Sequence, residues 1–359
     1  MKQQTIFCLF GLLVATVVFW ANACHCSAVI IIGSAAGNTG TPLDAGLASR
    51  WNQVGDWGSY LGTPIAPNYF LTAKHIGGAV GQSITFPDDN SSYQTVATFQ
   101  DPNSDLALWQ ISGAFPSSRI VPMYAGNVVA GVPLTIFGRG LPRTNTEVTG
   151  AKRTTGTEAK GWLWGTAASA RSWGTNTLDG LGDGGAAGTQ LAYDFDATGG
   201  SNEGILSIGD SGGPVFISQS GAWQLAGINY AVGPLAVRET IDGPTLTAAL
   251  YDYGGLYLET GSPVSWQLVS ATTANKPAVS YSTFLSPRSD WIEAVITVPE
   301  PATLLLLTAA FLATPLLHRR GQVPRCRRCL PRSFTQFTHS HDPRPSVAES
   351  KSMPALHRQ

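Results

Sequence analysis

The 359-residue chain has five cysteines, all near its ends, at Cys8, Cys24, Cys26, Cys326 and Cys329. No disulfide can therefore form within the body of the protein, which must be held by packing and hydrogen bonds alone. Histidine is almost as scarce there: one of six, His75, falls between Cys26 and Leu317. Charged residues make up 13% of the chain and the formal net charge is −1. An Arg-rich stretch after Leu317 conceals that the residues before it are acidic, and nothing in that balance suggests a nucleic-acid partner. Long helical periodicity is also missing, which excludes a helix bundle.

Long apolar runs occur at two places only. The chain opens Met1-Lys2, runs apolar from Ile6 to Trp20 and reaches Ala21-Asn22-Ala23. A charged start, an apolar stretch without amphipathic period and an A-x-A site predict a secretory signal over residues 1–27, removed by signal peptidase after Ala23 or near Ala28. The second run, Ala302–Leu317, follows Val298-Pro299-Glu300-Pro301 and is closed by His318-Arg319-Arg320. It is slightly shorter than the roughly 17–25 residues that span a bilayer, and arginines directly after it would stay on the cytoplasmic side.

That three-part pattern over residues 299–320 resembles the PEP-CTERM sorting signal of Gram-negative bacteria. The resemblance implies export to the cell surface or extracellular matrix and processing by an exosortase-type enzyme. It also implies transient or permanent membrane association through residues 302–317. The chain departs from that class by continuing through residues 321–359, a basic stretch without hydrophobic period that reads as disordered. Cys326-Arg327-Arg328-Cys329 lies inside it with no second ligand pair at finger spacing, so a zinc or redox role is not expected.

The body, residues 28–298, is long enough for one large or two small cores. Short β-branched and aromatic runs recur: Tyr69–Thr72, Ser83–Phe86, Gln94–Phe99, Leu106–Ile111, Val132–Phe137, Gln190–Phe195, Pro214–Ile217 and Trp223–Ile228. Turn clusters such as Asp101-Pro102-Asn103 and Gly180–Gly188 separate them, which predicts an all-β sandwich or barrel. Residues 150–203, rich in Gly, Ala and Thr, read as long loops with a few strands. Within them Asp194-Phe195-Asp196 imitates the start of a calcium loop, but Ile205 stands where a bidentate Glu belongs. No metal and no other cofactor are expected.

The chemistry concentrates in Gly209-Asp210-Ser211-Gly212-Gly213-Pro214. Acyl transfer needs a serine oxygen exposed on a tight turn, with backbone N–H groups aimed at the developing oxyanion. Glycines on both sides of Ser211 permit that turn, and Gly209 and Ser211 are the natural N–H donors. Asp210 would turn inward. A nucleophilic serine needs a base near neutral pH, and His75 is the one imidazole in the body that can supply it. A carboxylate must then orient the imidazole. Asp105 stands at the mouth of the apolar run Leu106–Ile111, whereas Asp101 sits in an Asp-Pro-Asn turn with a ready role as turn former, so Asp105 is preferred.

Leu71-Thr72-Ala73-Lys74-His75, Asp105-Leu106-Ala107-Leu108 and Gly209–Pro214 resemble, in this order, the three motifs of the trypsin-like (chymotrypsin-fold) serine proteases. The resemblance implies two antiparallel β-barrels, the first over about residues 28–120 and the second over about 121–298, with the site in the cleft between them. It also implies an exported endopeptidase acting on polypeptide substrates through an acyl-enzyme. A serine esterase and a non-catalytic binding module on the same fold are the alternatives. Lys74 and Ile76 depart from the family's usual Ala-Ala-His-Cys. By the family's spacing Ile205 would line the base of the primary specificity pocket, with Tyr230 and Val232 on the strand that pairs with substrate, favouring an apolar or small side chain. Glu203 could reach that pocket only if its loop differs. Export processing near Ala28–Ile31 would leave an N-terminus to partner Asp210.

Overall fold

The computed structural model describes residues 28–297, apart from residues 36, 167–169 and 262. The expected signal peptide over residues 1–27, the expected sorting signal over 299–320 and the tail 321–359 lie outside the described residues. Among the described residues no helix is long and apolar enough to cross a membrane.

Six antiparallel strands close the first barrel: Gly55–Trp57, Tyr60–Ala66, Tyr69–Ala73, Leu106–Ile111, Ser91–Gln100 and Ser83–Phe86, the last pairing back onto the first. Strand alternation explains their composition. Phe70, Ala107, Trp109 and Ile111 point into the barrel with Trp57, Ile84, Phe86 and Phe115. Tyr69, Leu71, Leu106 and Leu108 point the other way, into a second core. Strands buried on both faces read as continuous apolar runs, which is why Tyr69–Ala73 and Leu106–Ile111 stand out in the sequence.

The second module is a seven-stranded antiparallel sheet in the order Ser172–Thr177, Pro133–Gly138, Pro214–Gln219, Ala222–Gly233, Val279–Phe284, Thr189–Asp194, Gly180–Asp183. Its two edge strands are consecutive in the chain and are joined by Leu178 and Asp179 alone. Three Cα steps reach at most about 10–11 Å between the strand ends, so the sheet has to roll until these two ends come together. At the seam the Leu178 N–H bonds the Val132 carbonyl and the Asp179 N–H bonds the Ala192 carbonyl, both at 2.9 Å. The result is a rolled, barrel-like sheet whose two edges are linked through one bent segment, packed around Ile136, Leu191, Tyr193, Phe195, Val215 and Phe284.

A third core joins the two. Leu61, Leu71, Leu106 and Leu108 from the first barrel meet Phe137, Phe216, Leu225 and Ile228 from the second. The helix Ala45–Gln53 adds Leu47, and the C-terminal helix Ser289–Ile296 adds Ile292. Each such side chain is worth roughly 1.5–3 kcal/mol when fully buried, so the barrels are held as one body and the cleft between them is fixed.

Two expectations about the fold need correction. Residues 28–32 do not belong to the first barrel: Ile30–Ile31 pairs with Gly204–Ile205, and Val29 and Ile30 pack into the second core. Their apolar side chains find an open edge there, while the first barrel is already closed. Residues 150–203 are not mainly loops, for they contain Thr157–Trp164, Ser172–Thr177, Gly180–Asp183 and Thr189–Asp194. Thr157–Trp164 lies between Arg143–Ala151 and Ala248–Leu250 in a separate three-stranded sheet, and its Gly and Ala content reflects close backbone approach. At Gly161 an added Cβ would fall 1.9 Å from the Ala249 carbonyl oxygen.

Candidate active site

His75 and Asp105 sit beside each other because their strands do. Tyr69–Ala73 and Leu106–Ile111 pair with Ala73 opposite Leu106, so His75 just after one and Asp105 just before the other leave the sheet together. The Lys74 N–H bonds the Asp105 carbonyl at 3.0 Å. The Asp105 carboxylate then takes both donors of His75, the backbone N–H on Oδ1 at 3.0 Å and ring Nδ1 on Oδ2 at 2.6 Å. Its side chain is 6% exposed against 40% for the imidazole, so the carboxylate is shielded while the ring faces the cleft. Ile76, where the family carries cysteine, packs against the first-barrel core and the core between the barrels.

Ser211 comes from the second barrel, on the turn before Pro214–Gln219. Its Oγ lies 2.8 Å from His75 Nε2. The turn needs its glycines. Gly212 has φ +80°, and a Cβ there would press on Thr72 Oγ1 and the Leu61 carbonyl. Gly209 has φ +97° and touches Gly140, with 2.9 Å from an added Cβ to the Gly140 Cα. Asn229, fully buried, fastens the turn to the sheet: its Nδ2 donates to the Phe137 carbonyl at 2.8 Å and the Asp210 carbonyl at 3.1 Å.

Asp210 points inward and is held by neutral donors. Its Oδ1 accepts the Gly140 N–H at 2.7 Å, and its Oδ2 accepts the Ser207 N–H at 2.7 Å. Burial pushes its carboxyl up to about 6, against the pull of the Ser207 and Gly140 hydrogen bonds. Ser207 Oγ sits 3.1 Å from Asp210 Oδ2 and 3.2 Å from the Ala28 carbonyl oxygen, so the Ala28–Ile31 segment borders this pocket.

The Ile208 carbonyl is fixed by the Leu141 N–H at 2.9 Å. Because the peptide is planar and trans, the Gly209 N–H points the opposite way. Among the described residues neither the Gly209 nor the Ser211 N–H has a hydrogen-bond acceptor, and both residues line a cavity of about 290 Å³. Two free donors beside a serine oxygen make a site able to stabilise an oxyanion.

The same cavity is lined by His75, Leu206, Ile208, Tyr230, Ala231, Val232 and Leu235. Tyr230 and Val232 thus lie beside Ser211 in one cavity, and the Tyr230 ring meets the His75 ring edge-on with centroids 5.7 Å apart. Ile205 is not in the wall. It pairs with Ile30 and is buried in the second core, and Leu206 takes the place on the cavity. Glu203 does not reach the cavity either, since it is buried against Gly199. Among the described residues no group of acidic, histidine or cysteine side chains is placed to hold a metal.

Sequence reasoning missed Asn229, Ser207, Gly140 and Leu206. None carries a motif of its own, and each acts by a contact that long-range folding alone creates.

No protein-family model and no curated protein sequence matches the chain. Among solved structures it is similar to mouse neuropsin, a serine protease expressed in the limbic system of the brain. The likeness has 14% identity and a TM-score of 0.39, covering 68% of this chain and 92% of that one. A likeness that low carries no argument, and the functional reading rests on the geometry.

Proposed function

We propose that the protein is an exported serine endopeptidase. The supporting observation is the unbroken line from Asp105 Oδ2 through His75 to Ser211 Oγ, at 2.6 and 2.8 Å, beside the two unpaired N–H groups of Gly209 and Ser211. His75 takes the Ser211 proton as Oγ attacks the substrate carbonyl. The oxyanion is held by the Gly209 and Ser211 N–H groups, and the imidazolium, steadied by Asp105, protonates the leaving amine. Water then enters, gives its proton to His75 and releases the acyl group. Asp105 orients the imidazole throughout.

The cavity wall offers Leu206, Ile208, Ala231 and Val232, a set that favours a small or apolar side chain next to the scissile bond. Processing near Ala28–Ile31 would leave an amine beside Asp210, whose present partners are all neutral. N-terminal sequencing of the mature protein would find a start within that window, and a start far from it removes this step.

The test is labelling of residues 28–298 with a fluorophosphonate, with Ser211→Ala and His75→Ala as controls. Labelling at Ser211 that both variants lose supports an activated serine. Ester and peptide substrates run side by side then separate an esterase from a peptidase. A folded protein that neither labels nor cleaves peptides would point to a binding module and overturn the reading.

A further inference from the structure

The strand Ala222–Gly233 changes neighbours as it passes the site. Pro214–Gln219 leaves it at Ile228, the Asn229 backbone still bonds Gly212 and Gly213, and from Tyr230 to Gly233 it pairs on one side only, with Val279–Tyr281. The other edge of Tyr230–Gly233 is open, and it starts at the cavity that holds Ser211. An open edge beside a cleft accepts a further strand through backbone hydrogen bonds. A polypeptide pairing antiparallel there arrives at Ser211 with its C-terminal side, so its N-terminal residues lie toward Gly233 and beyond.

What lies beyond is a second hollow. Val232 and Leu235 line both the catalytic cavity and an adjoining trough of about 510 Å³. The trough runs along Pro234 and Ala236 to Glu259 and Gly261. Pro234 has no N–H to donate, so backbone pairing stops there and side chains must do the recognising. Glu259 is the one charged residue in the wall, on the strand Tyr257–Thr260 of the hairpin with Ser265–Leu268. Among the described residues it has no ion pair. Arg238, across the same small sheet, is engaged elsewhere: its Nη1 donates to the Ile241 carbonyl at 2.9 Å and its guanidinium lies 4.0 Å over the Trp266 ring.

We infer that this trough is a second subsite for the substrate chain and that Glu259 selects a lysine or arginine there. The inference rests on the endopeptidase reading. Tyr230, Ala231 and Val232 face the first three residues before the scissile bond. An extended chain advances about 3.3 Å per residue, which brings the fourth to sixth residues into the trough. The preferred substrate therefore carries an apolar residue at the cut and a basic one four to six positions before it.

The experiment uses fluorogenic peptides that share an apolar residue at the cleavage site and carry Lys or Glu at the fourth, fifth or sixth position before it. Residues 28–298 should cleave the best Lys peptide about three- to fivefold faster in kcat/KM than its Glu twin, as one partly screened charge pair allows. Added salt should shrink the ratio. Glu259→Gln should bring it to one, and Glu259→Lys should invert it. Peptides ending at the second residue before the cut should be cleaved equally by all three proteins. A ratio of one at every position, or one that survives Glu259→Gln, overturns the inference. Fluorescence anisotropy of the same peptides on the Ser211→Ala variant reads the preference without turnover. A Lys preference there with no cleavage by the parent protein would count against the peptidase reading and for the trough.

Discussion

Arg288 grips Asp101 with both arms of its guanidinium, Nε to Oδ2 at 2.6 Å and Nη2 to Oδ1 at 2.7 Å. Asp101 is fully buried and also accepts the Ser104 hydroxyl at 2.5 Å and the Asn103 N–H at 2.9 Å. Lys74, next to His75, reaches over the same loop, with Nζ on the carbonyls of Asp101 and Ser104. Burial works against the Asp101 charge, and Arg288, Ser104 and Asn103 together outweigh it and hold the carboxyl below its usual value. The acid not used by His75 therefore anchors the turn that carries Asp105, and a residue just before the C-terminal helix supplies the counter-charge.

Arg288 is a positioning residue. Arg288→Ala should lower kcat roughly 10- to 100-fold with KM little changed, since a small misplacement of a catalytic group costs about that much. Arg288→Lys should recover part of that loss. Loss of thermal stability with kcat unchanged would leave Arg288 as a structural residue only.

The second prediction concerns the oxyanion donors. Gly209→Ala adds a Cβ at φ +97° against the Gly140 Cα, which must rotate the peptide whose N–H faces the cavity. Loss of one such donor typically costs about 10²–10³ in kcat. The variant should keep its fold by circular dichroism and its KM within a few fold. An unchanged kcat would remove Gly209 from the proposed mechanism.

A third prediction tests the cavity wall. Val232 is the branched aliphatic wall residue on the open strand edge. Val232→Gly should raise kcat/KM for a phenylalanine relative to an alanine substrate by roughly tenfold or more, because each added methylene in an apolar pocket is worth about that factor. If the two substrates keep their ratio, the side chain next to the cut lies elsewhere.

Much of this site was legible in the sequence, because its parts are local. The Ser211 turn announces itself through glycines that only a positive φ requires, and His75 by being alone. All eight strand runs read from the sequence are present, several of them longer than the runs themselves. What escaped was non-local. The strand Tyr60–Ala66 contains Gly62 and Pro64 and gives no β pattern, yet Gly62 is needed because Phe70 packs 2.7 Å from where a Cβ would be. The helix Ala45–Gln53 is too short to show periodicity, though Asp44 caps it through the Leu47 N–H at 2.9 Å. Family spacing placed Ile205 in the cavity, but the pairing of Gly204–Ile205 with Ile30–Ile31 turns that side chain into the core and leaves the wall to Leu206. Asp101 and Asp105 could be ranked from sequence, but the use of Asp101 depends on a partner 187 residues away.

The last prediction is about pH. Glu203, 6% exposed, lies near Asp179, Asp194 and Asp196. Burial chiefly, and the charges of Asp196, Asp194 and Asp179 with it, push its carboxyl up to about 8 against a hydrogen bond from the Asp196 backbone. Asp194 is likewise pushed up to about 6, by burial and then by Asp179 and Asp196. A carboxyl with a raised folded pKa favours the folded state when protonated. Its contribution is fully present below the ordinary carboxylate value and is lost as pH rises through the folded one. The loss should come in two steps, Asp194 between about 4 and 6 and Glu203 up to about 8. Glu203 also holds the N-terminal segment, its carbonyl accepting the Ile32 N–H at 3.0 Å, so alkaline conditions should loosen Ile30–Ile31 before the barrels. Glu203→Gln mimics the protonated acid. It should melt within about a degree of the parent at pH 5 and several degrees above it at pH 9, by calorimetry at matched ionic strength. The same difference at both pH values would mean that the Glu203 carboxyl ionises without strain.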